Sequence, residues 1–119
     1  MLALFLLPLV EASELDTRLI MRGLRNTERV LNNAGVERLI QKEQDLGTDL
    51  KFEDILPEVA GIYPRVMQEG DVDAGAWSCG MVAGLIHDSP SVKELIDRII
   101  EESEQIIRSR LEGMLKQSL

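Results

Sequence analysis

From Ser91 onward the chain places apolar residues in a rhythm that suits one kind of backbone. Val92, Leu95, Ile96, Ile99, Ile100, Ile106, Ile107, Leu111 and Met114 recur at i, i+3 and i+4, the spacing of an amphipathic helix. Ser91 and Glu94 form a capping box: the hydroxyl accepts from the third backbone N–H and the carboxylate returns to the cap. Glu94 with Arg98, and Glu104 with Arg108, stand four apart in the favourable order. The opposite face is charged, so this helix covers a core with one side only and needs an apolar surface to lie on. The whole chain has 119 residues, one small domain by length, able to bury roughly two-thirds of its unfolded surface. Its aromatics are only Phe5, Phe52, Tyr63 and Trp77, so any core is built from Leu, Ile, Val and Met.

Charge removes several function classes. Thirteen basic residues against 21 acidic ones give a net charge of −8. Generic nucleic-acid binding is excluded, because that affinity comes from neutralising phosphates. An anionic membrane surface is a poor partner for the same reason. One cysteine, Cys79, allows no internal disulfide and no multi-cysteine metal site. With one histidine, His87, a zinc site would rest on carboxylates, and no metal centre is expected. The opening run MLALFLLPLV (residues 1–10) is uncharged but shorter than the ~20 apolar residues that span a bilayer. It lacks a basic n-region, and Glu11 and Glu14 follow at once, so it reads as a helix or strand packed on something apolar rather than as a signal or anchor.

Between these ends the elements are short. Residues 16–22 suit either a strand or the first turns of a helix, and Gly23 breaks either one. Thr27 is the expected N-cap of a helix carrying Val30, Leu31, Ala34 and Leu39 and stopping near Gly47. Gly35 inside it costs about 1 kcal/mol relative to Ala and implies a close packing contact. A short helix is expected over 49–58, punctuated by Pro57, and another from Pro64 to Gln68. Residues 70–75 form a loop, Ser78 is the expected cap of a short helix through Ile86, and residues 88–90 turn. No internal repeat is present.

The stretch GDVDAGAWSCGMVAGLI (residues 70–86) is the densest in glycine. Gly75 and Gly80 have P-loop spacing, but Met81 and Val82 stand where Lys and Ser/Thr are required. Asp71 and Asp73 open like a calcium loop, but Ala76 and Val82 occupy its sixth and twelfth places. What remains is a loop entering a helix through small residues, with the N–H groups of Ser78, Cys79 and Gly80 offered to an electron-rich group or, more commonly, used in packing. Gly80 and Gly84 permit close approach of a backbone or flat ligand. Trp77 stacks on a ligand or, the commoner role for a lone tryptophan, anchors the loop. Cys79 is either a helix-start thiol of lowered pKa or a small buried hydrophobe. His87, with no nucleophile spaced to help it, reads as a solvated turn residue. Arg18, Arg22, Arg25 and Arg29 would form a basic stripe if their stretch were helical. A phosphate or carboxylate partner is one reading of that stripe, a solvated face the default.

Two segments taken together, DTRLIMRGLRNTERVLNN (residues 16–33) and GDVDAGAWSCGMVAGLIHDSP (residues 70–90), followed by an acidic amphipathic helix ending RLEGML, resemble the C-terminal part of the nitronate monooxygenase (2-nitropropane dioxygenase) family, close to its NADH:quinone reductase branch. Flavin-type enoyl reductases carry a similar glycine stretch before their final helix. The resemblance implies an FMN enzyme built on a TIM barrel with a helical second domain. It implies that Trp77, Ser78, Gly80 and Met81 bind the cofactor through ring contacts and backbone donors, with Cys79 in place of the family's small residue. The family's catalytic histidine lies in the barrel and His87 does not correspond to it, so no catalytic residue is expected in this chain.

A barrel needs about 200 residues or more. The expected fold is therefore mainly α: the helical C-terminal remainder of an FMN-binding TIM-barrel (α/β) enzyme, with at most one short strand. Residues 1–10 fall outside the match and residues 11–119 form the helical part. The implied parent activity is oxidation of alkyl nitronates by O₂, or hydride transfer from a nicotinamide to a quinone, in the cytoplasm. The chain alone is expected to bind FMN weakly or not at all and to turn nothing over. Its expected partner is the missing barrel or a second copy meeting its apolar helix faces. The competing class is a free-standing helical protein–protein interaction module.

Overall fold

The computed structural model describes residues 2–116, so Met1 of the apolar opening run lies outside the described residues. The chain divides into two units, Met1–Asp88 and Ser89–Leu119.

The first unit begins with α1 (Leu2–Glu11), which carries Pro8 within it. The apolar run is thus a helix, and Leu9 packs against the core as the sequence predicts. Ser13 then caps a single 3-10 turn, Glu14–Asp16. The Asp16 carboxylate accepts from both the N–H of Ser13 (2.7 Å) and its hydroxyl (2.8 Å). Those two bonds, the backbone one first, hold the Asp16 carboxyl below the usual carboxylate range.

Within residues 16–22 the strand alternative holds, over four residues. β1 (Thr17–Ile20) pairs antiparallel with β2 (Glu28–Leu31), with Thr17 opposite Leu31 and Ile20 opposite Glu28. The expectation of at most one short strand is corrected to two. The helix expected to start at Thr27 begins instead at Asn33, whose Oδ1 accepts from the Val36 N–H at 2.9 Å to cap α2 (Ala34–Leu46). The reason lies in Val30 and Leu31. Both are buried, at 0 % and 5 % exposure, but in different clusters. Val30 joins Ile20, Val36, Leu39, Ile55 and Ala76, while Leu31 joins Ile62, Val66, Trp77 and Ala83. Adjacent residues reach opposite sides only in an extended chain. β2 is therefore the wall between two small cores.

α2 stops at Gly47, as expected, where a positive φ of 53° ends the helix and the Gly47 N–H reaches the Glu43 carbonyl. α3 (Phe52–Val59) keeps Pro57 inside it and buries Ile55 and Glu58. α4 (Ile62–Pro64) runs into a wide π turn, Arg65–Glu69, and Gly70 ends it at φ 75°. The helix expected from Ser78 to Ile86 is a 3-10 segment, Met81–Leu85, whose N-cap is Gly80 with no side-chain cap.

One close approach organises this unit. A Cβ built on Gly75 would lie 2.2 Å from the Glu58 carbonyl oxygen, and one built on Gly35 would lie 2.4 Å from the Gly75 Cα. Gly35 therefore sits where the sequence predicts tight packing, and Gly75 is its counterpart.

The second unit is α5 (Val92–Lys116). The capping box is present: Ser91 N–H donates to Glu94 Oε2 at 2.8 Å and Glu94 N–H to Ser91 Oγ at 3.3 Å. Arg108 meets Glu104 at 3.1 Å, and Lys93 meets Asp97. Leu95, Ile96, Ile99, Ile100, Ile106 and Ile107 are all about half exposed or more, so the apolar stripe predicted from the sequence is open to solvent.

Gly75→Ala is expected to cost at least the ~1–3 kcal/mol of an overpacked core, since the obstruction is backbone. That lowers the melting temperature by roughly 10 °C or more in a unit of this size. Gly23→Ala, with nothing within 4 Å of the added carbon, is expected to change it by less than about 3 °C. Thermal melts followed by circular dichroism compare the two.

Candidate functional site

Residues 70–76 are held by three elements at once. The Asp71 carboxylate pairs with Arg65 at 2.6 Å. Asp73 Oδ1 accepts from the Ala34 N–H at 3.0 Å, at the first turn of α2. Asn33, besides capping α2, donates through Nδ2 to the Gly75 carbonyl at 2.9 Å. The Ala76 N–H donates to the Glu58 carbonyl at 2.7 Å. Both aspartates that imitate a calcium loop are thus committed to ion pairing and capping. Among the described residues no group of three His, Cys, Asp or Glu side chains is placed to hold a metal.

Glu58 ties the same loop to α2 through its side chain. Its carboxylate is 7 % exposed, meets Lys42 Nζ at 2.8 Å and lies 4.0 Å from Arg38 Nε. Lys42 also donates to the Asp54 carbonyl at 2.9 Å, and Arg38 to the Asp73 carbonyl at 3.4 Å. A carboxylate this buried is tolerated because its partners remain beside it.

From this anchor the chain runs extended beside β2. Leu31 N–H donates to the Trp77 carbonyl at 3.3 Å, Cys79 N–H donates to the Arg29 carbonyl at 3.1 Å, and Ser78 lies opposite Val30. Side chains then alternate. Trp77 is 3 % exposed in the core with Leu31, Ile62 and Val66, and its indole Nε1 donates to the Val72 carbonyl at 3.1 Å. Cys79 is also buried, and burial pushes its thiol above the ordinary range, so it takes the hydrophobe reading. Ser78 and Gly80 face outward, followed by Met81 at 54 % exposure.

The four expected cofactor residues therefore separate. Trp77 anchors the segment from inside, while Ser78, Gly80 and Met81 line its outer side. The expected row of free N–H groups is corrected: Ser78 donates to the Tyr63 hydroxyl oxygen at 3.0 Å and Cys79 donates to β2. Gly80 and Met81 stand where no acceptor on the described residues takes their N–H groups.

Ser78 sits in a polar trio. The Tyr63 hydroxyl donates to Ser78 Oγ at 2.9 Å, and the Ser78 hydroxyl donates to Glu28 Oε1. Tyr63 lies 15 residues from Ser78 and Glu28 lies 50, so it takes both the pairing of residue 78 with β2 and the packing of α4 in the Trp77 cluster to bring the three together, and nothing in the local sequence marks them. His87 is exposed. The arginines do not share a helix face. Arg18 is on β1, Arg29 on β2, and Arg22 and Arg25 lie in the turn between them. No described helix is long and apolar enough to cross a membrane.

No family model matches the chain. Its fold is similar to that of FabK from Thermotoga maritima, with a TM-score of 0.78 and 25 % sequence identity over 93 % of this chain. A methionine-to-alanine variant of the same FabK matches with a TM-score of 0.69 and 24 % identity over 92 % of this chain, a likeness of fold. The chain spans about one third of the length of these neighbours, covering 34 % and 31 % of them. The likeness supports the nitronate monooxygenase-like superfamily rather than any one branch of it.

Tyr63→Phe removes both hydrogen bonds between its hydroxyl and Ser78 and is expected to cost about 1–2 kcal/mol in urea unfolding. It should speed hydrogen exchange at the Ser78 amide without changing the emission of buried Trp77. Cys79 is expected to react with iodoacetamide at pH 7.5 at least ~100-fold more slowly in the folded chain than in urea, because burial both hides the thiol and disfavours the thiolate. Timed alkylation read by mass spectrometry checks it.

Proposed function

We propose that this chain is the C-terminal helical part of an FMN-dependent oxidoreductase, of the nitronate monooxygenase or NADH:quinone reductase type, and that its outward segment Ser78–Gly80–Met81 borders the flavin. The carrying observation is that segment's construction: an extended run fixed on β2, with its interior residues Trp77 and Cys79 buried and its outer residues Ser78, Gly80 and Met81 exposed. The likeness of fold to FabK adds support.

The residues present fit the edge of a flat, electron-rich ring. A Cβ on Gly80 would meet nothing closer than Val82 Cγ1 at 3.7 Å, so a planar group has room to approach the backbone there. The N–H groups of Gly80 and Met81 are donors, and the Met81 thioether is a soft, adaptable contact. FMN, when bound, supplies the electron-carrying ring, and the protein's part is to orient it and tune it. Ser78 is positioned by Tyr63 and Glu28, and Trp77 keeps the run from moving inward. The P-loop pattern fails at Met81 and Val82, so this reading assigns the flavin phosphate to another part of the enzyme. A second reading, an interaction module that pairs with its own copy, is favoured by the open apolar stripe of α5.

FMN added to the purified chain is expected to keep its fluorescence, with no saturable quenching below about 100 μM, an energy short of ~6 kcal/mol. Substituting this chain for the third of Thermotoga maritima FabK that it matches is expected to give a yellow protein holding one flavin, and Gly80→Trp in that chimera is expected to lose it. A chimera that melts cooperatively yet stays colourless overturns the flavin reading. A discrete dimer of the isolated chain by size exclusion with light scattering favours the module.

A further inference from the structure

The first unit carries eight arginine and lysine side chains, and they fall into two groups. Arg38 and Lys42 meet Glu58, and Arg65 meets Asp71. The rest have no carboxylate within ion-pair distance among the described residues, and four of those five sit on the β1–β2 hairpin: Arg18, Arg22, Arg25 and Arg29. Lys51 is the fifth. Arg29 is occupied otherwise, donating to Thr17 Oγ1 at 2.7 Å. In a chain of net charge −8, the run from Thr17 to Thr27 holds three arginines and no acid.

The turn brings two of them together. Arg25 N–H donates to the Arg22 carbonyl at 3.1 Å, and Asn26 N–H to the Met21 carbonyl at 3.2 Å. A turn closed by such a bond holds its first and fourth Cα atoms within about 7 Å. Leu24, between them, packs on the core with Ile20 and Val36, so Arg22 and Arg25 are left exposed on either side of a fixed point.

The backbone adds an independent sign. Arg25 has φ 55° and Met21 φ 57°, the left-handed region that Gly or Asn occupies with less strain. Gly23, two residues away, is not among the positive-φ glycines. The fold thus holds an arginine where a glycine would relieve strain, and no ion pair among the described residues uses its charge.

We propose that the Met21–Thr27 turn is an anion-binding site for a diphosphate, gripped by Arg22 and Arg25 with Asn26 and Thr27 as neutral donors beside them. Two guanidinium forks a turn apart match adjacent phosphoryl groups, each of which can accept in bidentate fashion. Resting on the quinone-reductase form of the flavin-oxidoreductase reading, the occupant is the diphosphate of a nicotinamide dinucleotide, the electron donor that form requires.

The test is an amide-resonance titration of the whole chain with pyrophosphate, inorganic phosphate and NADH in turn, at low and at physiological salt. The expected result is saturable shifts centred on residues 21–27, with pyrophosphate and NADH tighter than inorganic phosphate, and weakening as salt rises. Arg22→Ala is expected to weaken pyrophosphate binding about tenfold, the loss of one charge-assisted pair. Arg25→Gly should weaken it as much while melting no earlier than the parent, because the strain is relieved. Lys51→Ala, the unpaired cation away from the turn, should leave it unchanged. Shifts spread over the surface, or equal losses for Lys51→Ala and Arg22→Ala, overturn the site. Pyrophosphate binding without NADH binding overturns the dinucleotide as occupant. Failure here with a yellow FabK chimera sinks this site alone, whereas a colourless, folded chimera sinks the flavin reading whatever the titration shows.

Discussion

The backbone of Gly75 lies against Gly35 on one side and the Glu58 carbonyl on the other, with no room for one added carbon toward either. This contact joins α2, α3 and the loop before Trp77 at a single point. Hydrogen bonds close around it: Asn33 to the Gly75 carbonyl, Ala76 to the Glu58 carbonyl, and Asp73 to the first turn of α2. None of these groups is exotic, but each has one partner that depends on the same approach. With the loop placed there, residues 77–79 have one direction left to run, which is along β2.

That placement explains how a small unit with few aromatics keeps order. β2 divides the interior into two clusters, each filled from both sides of an extended chain. Trp77 and Cys79 feed one cluster and Ala76 the other, so the segment Ala76–Cys79 continues the work of the wall. An outward face is the consequence of this alternation, not a separate design. Ser78, Gly80 and Met81 are outside because their neighbours are needed inside. Residues presented by an extended segment bonded to β2 in this way are held more firmly than residues on a free loop, which is what a contact to a rigid planar ligand requires.

The long helix was legible in the sequence because its signals are local. The cap, the stripe and the i,i+4 pairs all lie within residues 91–115, and no distant residue is needed to read them. The tight contact at Gly35 was legible as well, since a glycine inside a helical pattern needs a reason. Its partner Gly75 was not, because a contact 40 positions away leaves no mark on the spacing around it. The hairpin was misread for a related reason. Val30, Leu31, Ala34 and Leu39 satisfy helical spacing, and only the existence of two separate cores makes Val30 and Leu31 a strand pair. At the site, the residue types around Trp77 were readable, whereas the backbone hydrogen bonds that consume the N–H groups of Ser78 and Cys79 depend on β2. Glu28 enters only through that pairing, and Tyr63 only through the packing of α4 beside Trp77.

The outer side of the Ser78–Met81 run does not end in polar groups. Met81, Val82, Leu85 and Ile86 follow with exposures from 44 % to 78 %. A 3-10 segment of five residues has no helical stability to defend, so three exposed apolar side chains on it, with Ile86 at its C-cap, are a cost with no return inside the unit. The same holds separately for α5, whose apolar stripe is the feature that normally stabilises a helix by packing rather than by propensity. Donors beside an apolar strip are the composition of a surface that meets a ligand that is partly flat and partly greasy, or the protein that holds one. On the flavin reading these exposed faces and the free N–H groups of Gly80 and Met81 have one explanation, a cofactor-bearing body against which both are covered. On the interaction-module reading the apolar faces are explained, but the open backbone at Gly80 and the strained arginine at Arg25 are not.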